Sequence, residues 1–316
     1  MTDDRKLLQL TIMERLDLTP SITQFVLARA DGGRLPEFEP GAHVTVETPS
    51  GAMRRYSLLN DGSAPDRYVI AVKREPDSRG GSESMHADAL PSATLRVEAP
   101  QNDFRLVPAP RYLLIAGGIG ITPILAMARA LDARQDSFRL IYCTRSAEET
   151  AYLDKIVTQF GDRAVIHHDN GDPAKVYDFW DDLEAPDNSH VYCCGPAALM
   201  EDVRGMSGHW PEGRVHFEDF KPIEVVRSDD RAFSVTINAT GQSIMVPADR
   251  SILEALRDAG VKTSSSCESG TCGTCKATLI RGSVEHRDMV LEESEKAAHI
   301  MLCVSRASDG DLVIDL

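Results

Sequence analysis

The chain has no apolar run long enough to span a membrane. Its most apolar stretch, Leu113 to Ala128, is broken by Gly117, Gly118, Gly120 and Thr122-Pro123. It falls short of the roughly 20 residues a spanning helix needs. The opening Met-Thr-Asp-Asp-Arg-Lys has no apolar core of the kind a secretory leader carries. Positive charge is scarce: 34 Lys and Arg against 49 Asp and Glu leave a formal net charge of −15. That balance argues against a nucleic-acid partner. It suits a protein that docks on a basic patch, although ordinary solubility accounts for it equally well. There is no internal repeat and no low-complexity tract. The seven cysteines are an odd number, which suits a reducing compartment better than a disulfide framework. A cytoplasmic location is therefore expected.

What is present is concentrated near the C-terminus. Cys267, Cys272 and Cys275 sit in Cys-Glu-Ser-Gly-Thr-Cys-Gly-Thr-Cys, and Cys303 follows 28 residues after Cys275. This is C-x4-C-x2-C…C, the ligand spacing of a plant-type [2Fe–2S] centre. Four thiolates must converge on two irons, so three come from one tight loop and the fourth from a distant segment. Small residues dominate that loop, and its N–H groups and hydroxyls are available to the sulfurs. Zinc is the competing reading, but structural zinc sites usually pair C-x2-C or Cys/His sets, and only one such pair is present. The four cysteines are expected to hold iron.

A chain of 316 residues is long enough for two or three domains. The first third reads as β: His43–Glu47 and Arg67–Lys73 are β-rich runs split by Gly, Pro and Asp-Gly turns. The middle alternates apolar strands with helical stretches, which predicts a parallel sheet. Its expected strands are Tyr112–Ala116, Phe138–Cys143, Ala164–His167 and His190–Cys193. Residues 222–231 read as a linker. Beyond it, Ser251 and Glu254 form a capping-box pattern for a helix that Gly260 ends.

Two loops of the middle segment carry chemistry. Strand Tyr112–Ala116 runs into Gly117-Gly118-Ile119-Gly120-Ile121-Thr122-Pro123 and then a helix, with Thr122 suited to the N-cap and Pro123 to the first turn. Glycines there let backbone approach a phosphate at a helix N-terminus. A structural Gly-rich turn explains such a loop about as well when it stands alone. The second loop, Cys194-Gly195-Pro196, follows strand His190–Cys193 and ends at the same sheet edge, where open α/β sheets bind ligands. Cys194 is either a small polarisable group beside a planar ring or a buried core cysteine.

Arg54-x-Tyr56-Ser57, then Gly-Gly-Ile-Gly-Ile-Thr-Pro, then Cys-Gly-Pro, in this order, resembles the ferredoxin–NADP reductase superfamily. With the C-terminal cysteine loop, nearly the whole chain resembles the phthalate dioxygenase reductase family, FMN- and iron–sulfur-containing reductases of Rieske oxygenase systems. Longer matching stretches include His-Val-Tyr-Cys-Cys-Gly-Pro (190–196), Ser-Ser-Cys-Glu-Ser-Gly-Thr-Cys-Gly (265–273) and His-Arg-Asp-Met-Val-Leu (286–291). The resemblance implies three domains: an antiparallel β-barrel flavin domain (1–106), an α/β parallel-sheet nucleotide domain (107–224) and an α+β, β-grasp-like [2Fe–2S] ferredoxin domain (230–316).

The resemblance also implies roles for individual residues. Tyr56 would lie against the flavin ring, with Ser57 near its N5. Arg54 and Arg55 would hold the flavin phosphate, Ala71, Val72 and Lys73 would meet the ring or its side chain, and Arg79, Gly80, Gly81 and Ser82 would close the phosphate site. Thr122 would touch the flavin from the nucleotide domain, and Phe220 would cover its face. NADH would be held by Gly117, Gly118, Gly120, Thr122, Pro123, Thr144, Arg145, Cys194, Gly195 and Pro196, with Ser57 and Cys194 closest to the reaction. Thr144-Arg145 ends the second strand without the acid that usually favours NAD, and an arginine there suits a 2′-phosphate; the family resemblance implies NADH. Electrons would pass from NADH to FMN, to the cluster, and out to a Rieske-type oxygenase, from a chain expected to act as a monomer. The alternatives are a reductase for an O-demethylase oxygenase or a separate ferredoxin, or an iron–sulfur carrier or sensor with a regulatory flavin domain.

Overall fold

A computed structural model describes residues 7–75, 80–220, 227, 229–264, 270, 273–288 and 290–316. Arg79, Cys267, Cys272 and most of the expected linker lie outside the described residues. The chain divides into two compact units, Met1–Glu218 and Asp219–Leu316.

The first unit opens with six strands and one helix: β1 (Leu8–Thr19), β2 (Ile22–Ala28), β3 (His43–Glu47), β4 (Met53–Ser57), β5 (Arg67–Lys73), α1 (Gly81–Asp88) and β6 (Thr94–Val97). They form one antiparallel sheet in the order β4-β3-β6-β1-β2-β5. Its two edges meet beyond β4, where the Leu59 N–H donates to Val69 O at 3.0 Å. The Asn60 side chain accepts from Val69 N–H and donates to Arg67 O, both at 2.9 Å. The sheet thus curls into the expected barrel.

β5 shows why its sequence reads as strand. Tyr68, Ile70 and Val72 face the barrel core beside Phe25, Val44 and Val97. Val69 and Ala71 face the other way, into a second core made mostly by the rest of the unit. A period of two places apolar side chains on both faces.

That rest is β7 (Arg111–Gly117), α2 (Ile121–Ala133), β8 (Phe138–Thr144), α3 (Leu153–Phe160), β9 (Ala164–His168), α4 (Trp180–Leu183), β10 (Ser189–Cys194), α5 (Ala197–Ser207) and β11 (Val215–Glu218). Its five strands are all parallel, in the order β11-β10-β7-β8-β9. The four expected strands appear, each extended by one or two residues. Leu114 and Ala116 pack on one face of β7, Leu113 and Ile115 on the other, as a parallel sheet covered by helices requires. The chain builds outward from β7 to β9, then crosses back to β10. That reversal places a topological switch point between the C-terminal ends of β7 and β10.

The second unit holds β12 (Phe233–Ile237), β13 (Ser243–Val246), α6 (Ile252–Asp258), β14 (Lys276–Glu285), β15 (His299–Met301) and β16 (Arg306–Asp315). The sheet order is β13-β12-β16-β14-β15, with β12 and β16 parallel and the other pairs antiparallel. Ser251 and Glu254 complete the capping box of α6 in both directions. Asp230, expected in the linker, is instead built into this unit. It takes a forked contact from Arg287, with both side chains under 5% exposed, and lies 3.4 Å from the Arg306 guanidinium. Removing one partner of such a buried pair leaves the other charge uncompensated. Arg287→Ala is therefore expected to destabilise this unit by about 3–5 kcal/mol, seen as an earlier loss of iron–sulfur absorbance in thermal unfolding. An unchanged transition would show that Arg306 alone suffices for Asp230.

Candidate functional site

The glycines of the nucleotide loop serve two purposes. A Cβ on Gly120 would stand 2.1 Å from Cys194 O, one on Gly117 would stand 2.6 Å from Pro196 Cδ, and one on Gly195 would meet the Gly117 backbone at 3.0 Å. The loops after β7 and β10 are thus in direct backbone contact at the switch point, and these glycines permit that contact. Only Gly118 has open space beside it and a left-handed φ of +51°, so it is the one suited to close approach by a ligand. Thr122 is not the N-cap. A 3-10 turn, Gly118–Gly120, leads straight into α2 at Ile121, and the buried Thr122 hydroxyl donates to Ile119 O at 3.0 Å. Pro123 therefore sits third in the helix, where its missing N–H still costs nothing.

Of the two adjacent cysteines on β10, alternation sends Cys194 into the core shared with Ile22, Leu59 and Ala71 of the barrel. Cys193 points to the opposite core. Burial pushes the Cys193 and Cys143 thiols up to about 12, so neither is a thiolate at neutral pH.

The same alternation separates Arg54 from Arg55 on β4. Arg54 lies against the start of α1: a Cβ on Gly81 would stand 2.9 Å from its Nε. The guanidinium thereby flanks the first-turn N–H groups of α1, which have no acceptor within the helix. Arg55 instead donates to Asp103 at 3.0 Å and to His43 Nδ1 at 3.1 Å. The structure therefore does not bring both arginines to one phosphate. The Ser82 hydroxyl accepts from Glu75 N–H, and Lys73 pairs with Glu75 at 2.8 Å. Ala71 and Val72 are buried on β5, which among the described residues pairs as a strand only with β2. Phe220 falls beyond the first unit and is 39% exposed. Thr144 is buried at the end of β8, and Arg145 after it is exposed.

Two observations fit a flavin here. The hydroxyls of Tyr56 and Ser57 are buried and have no partner among the described residues, a cost that a ring with polar edges would remove. The arginine beside a helix start suits the phosphate. For the cluster, the Leu302 N–H donates to Cys275 O at 3.2 Å, and Lys276 pairs with Met301 across β14 and β15. The ladder thus draws Cys275 and Cys303 together despite their separation in sequence. Both are at most 3% exposed and belong to one core. Two buried thiols so placed fit half of a four-thiolate iron site; Cys267 and Cys272 lie outside the described residues.

Sequence reasoning missed Glu218. It ends β11, opposite Cys194 in the ladder, and its Oε2 is buried without a hydrogen-bond partner. Burial pushes its carboxyl up to about 8, with Arg55 opposing the rise and Asp103 adding to it. The signal was an acid at the end of the last parallel strand, recognisable once its neighbours are known. Because the folded value lies above the ordinary 4.5, the folded chain holds a proton that the unfolded chain releases between about pH 4.5 and 8. Stability from this group falls as pH rises through that window. Glu218→Gln is expected to be stabilised relative to wild type at pH 8 and not at pH 4.5, by at most on the order of 4 kcal/mol. Thermal unfolding at both pH values checks this, and a gain independent of pH would sink it.

Comparison with known proteins fits this geometry. A model of the oxidoreductase NAD-binding domain matches residues 114–205, and one of the 2Fe-2S iron-sulfur cluster binding domain matches residues 235–308. The fold and site define an iron–sulfur oxidoreductase driven by a nicotinamide nucleotide. The phthalate 4,5-dioxygenase oxygenase reductase subunit of Pseudomonas putida is 49% identical over 311 residues, covering 97% of this chain and 96% of its own. A solved phthalate dioxygenase reductase, described as a modular structure for electron transfer from pyridine nucleotides to [2Fe–2S], superposes with a TM-score of 0.84 at 47% identity, covering 98% of both chains. The vanillate O-demethylase oxidoreductase of Pseudomonas putida is 41% identical, covering 96% of this chain and 98% of its own. The chain belongs to the phthalate dioxygenase reductase family. It is an NADH-dependent oxidoreductase with FMN and a [2Fe–2S] cluster as cofactors. Among the described residues no helix is long and apolar enough to cross a membrane.

Proposed function

We propose that this chain draws electrons from NADH and delivers them, one at a time, to a Rieske-type oxygenase that acts on an aromatic acid of the phthalate kind. When bound, the flavin converts a two-electron donor into single electrons, and the cluster carries them outward. The chain's own residues bind, orient and exclude water. Arg54 and the N-terminus of α1, with Gly80, Gly81 and Ser82, would hold the FMN phosphate. Tyr56 would lie against the ring, and the Ser57 hydroxyl would meet its polar edge. The backbone of Ala71, Val72 and Lys73 would line the ring's other side, and Arg55 is assigned to the Asp103 and His43 cluster instead. Gly118, Thr144 and Arg145 would receive the dinucleotide, with Cys194, Gly195 and Pro196 beside the nicotinamide and Gly117, Gly120, Thr122 and Pro123 holding the loop. Burial raises the Glu218 carboxyl, opposite Cys194 in the ladder, to about 8. Cys267, Cys272, Cys275 and Cys303 would ligate the irons.

One observation carries the reading: Cys194 shares a core with Leu59, two residues beyond the buried Ser57, and with Ala71 of β5. The nucleotide loop and the flavin strand therefore meet within one unit. The relatives named for phthalate systems are 49% identical and those named for vanillate 40% and 41%, which favours the former acceptor. The test mixes the holoenzyme and NADH with a phthalate-type or a vanillate-type oxygenase and measures coupled product formation. Faster turnover with the phthalate-type partner is expected; faster turnover with the other reverses the assignment. Failure of NADH to bleach the flavin anaerobically would overturn the reductase reading itself. A single species of 34.6 kDa by light scattering is expected for a monomer.

A further inference from the structure

The His-Arg-Asp-Met-Val-Leu stretch (286–291) follows β14 on the way to β15. This strap touches the cysteine-bearing chain on two sides. A Cβ on Gly273, the residue after Cys272, would stand 3.3 Å from Val290 Cγ1. On the other side, the hydroxyl of Ser305, two residues past Cys303, donates to Asp288 Oδ1 at 3.3 Å. Cys303 lies in a turn that the Ser305 N–H closes on Met301 O at 3.0 Å. Ser305 is fully buried, and its Oγ also accepts from the Arg287 N–H at 3.3 Å. The Asp288 side chain is 0% exposed. Its other oxygen, Oδ2, accepts from the N–H groups of Leu291 at 2.8 Å and Val290 at 3.3 Å. Donors on both oxygens are what a buried carboxylate needs. His286 Nδ1 lies 3.6 Å from Oδ1, beyond hydrogen-bond reach.

We infer that Asp288 is a positioning residue for Cys303: it clamps the turn that carries the fourth iron ligand to the 286–291 strap, and its buried negative charge holds the cluster's potential down. The inference rests on reading Cys303 as an iron ligand. Groups behind a metal's ligands fix their orientation, and net charge near an iron–sulfur cluster sets its potential. A negative charge opposes the arrival of an electron, so a cluster beside Asp288 is the stronger donor to an outside acceptor. Asp288→Asn removes the charge and retains the contacts: its oxygen accepts from Leu291 and Val290 while its NH2 donates to Ser305. Ser305→Ala removes the link and retains the charge.

The test is a reductive titration of the full holoenzyme at one fixed pH, followed by paramagnetic resonance of the reduced cluster. Iron analysis and the rate of iron loss to a chelator are measured on the same samples. D288N is expected to hold both irons and to shift the cluster's reduction equilibrium about tenfold toward the reduced form, which is about 59 mV upward for one electron. S305A is expected to lose iron at least about tenfold faster than wild type, with its potential near the wild-type value. An equilibrium unchanged within about twofold in D288N, with both irons bound, removes the charge role. A D288N chain that cannot hold both irons removes it too, by placing the whole effect in the contacts. Iron loss from S305A at the wild-type rate overturns the positioning role and leaves the cluster standing. If Cys303→Ser keeps both irons, the ligand reading fails and the inference falls with it.

Discussion

Cys303→Ser is expected to cut NADH-driven reduction of a one-electron acceptor protein such as cytochrome c by more than about a hundredfold, since loss of even a supporting contact at such a site costs 10–100-fold. NADH oxidation by ferricyanide, a small oxidant able to meet the flavin directly, should stay near wild type. The reason is local. Cys303 is 2% exposed, held beside Cys275 by β14 and β15, in the core of the second unit. Serine is nearly isosteric but stays protonated, so the site loses a thiolate while its surroundings persist. Iron content should fall with the activity, and the second unit should unfold earlier because metal binding and folding are coupled. A variant that keeps two irons and wild-type cytochrome reduction would remove Cys303 from the ligand set.

The other large effect is expected at Gly120. An alanine Cβ there would lie 2.1 Å from Cys194 O and 2.4 Å from its carbonyl carbon. Neither atom is the end of a flexible side chain, so the loops after β7 and β10 must part. Gly120→Ala should cost about 3 kcal/mol or more and raise the KM for NADH at least about tenfold, because near-reaction geometry tolerates little displacement. Gly118→Ala is the matched control. It adds the same methyl group in open space, at a φ of +51°, and should cost only the roughly 1–2 kcal/mol of left-handed backbone. Comparing the two by thermal unfolding separates close packing from backbone strain; NADH kinetics are read for Gly120→Ala alone, because Gly118 lies where the dinucleotide would approach. Equal effects would mean that the backbone contact between the loops is not what the glycine protects.

Much of this was legible in the residues. His43–Glu47 and Arg67–Lys73 form strands with the bounds that β-rich patterning predicted, and the Ser251–Glu254 box forms as read. These are local signals, decided within a few residues. What failed depended on neighbours in space. Thr122 looked like an N-cap, but the 3-10 turn before it had already bent the chain into the helix. Arg54 and Arg55 looked like one anion clip, although strand alternation alone sends them to opposite sides. The nucleotide-loop glycines suggested phosphate approach; two of them, Gly117 and Gly120, answer to the chain packed across the switch point. Glu218 and Asp230 are ordinary acids in the sequence, and only the β10–β11 ladder and the Arg287 and Arg306 guanidinium groups make them unusual.

The two-sided strand β5 has a consequence for how the chain divides. Val69 and Ala71, with Ile22 and Leu59, turn apolar surface outward from the barrel into the α2 core. An excised barrel ending near residue 106 would carry that surface into water, and the excised sheet domain would expose its counterpart. Each described core cluster lies within a single unit. A recombination event that broke the first unit near residue 106 is therefore expected to leave two aggregation-prone fragments, each exposing half of one core.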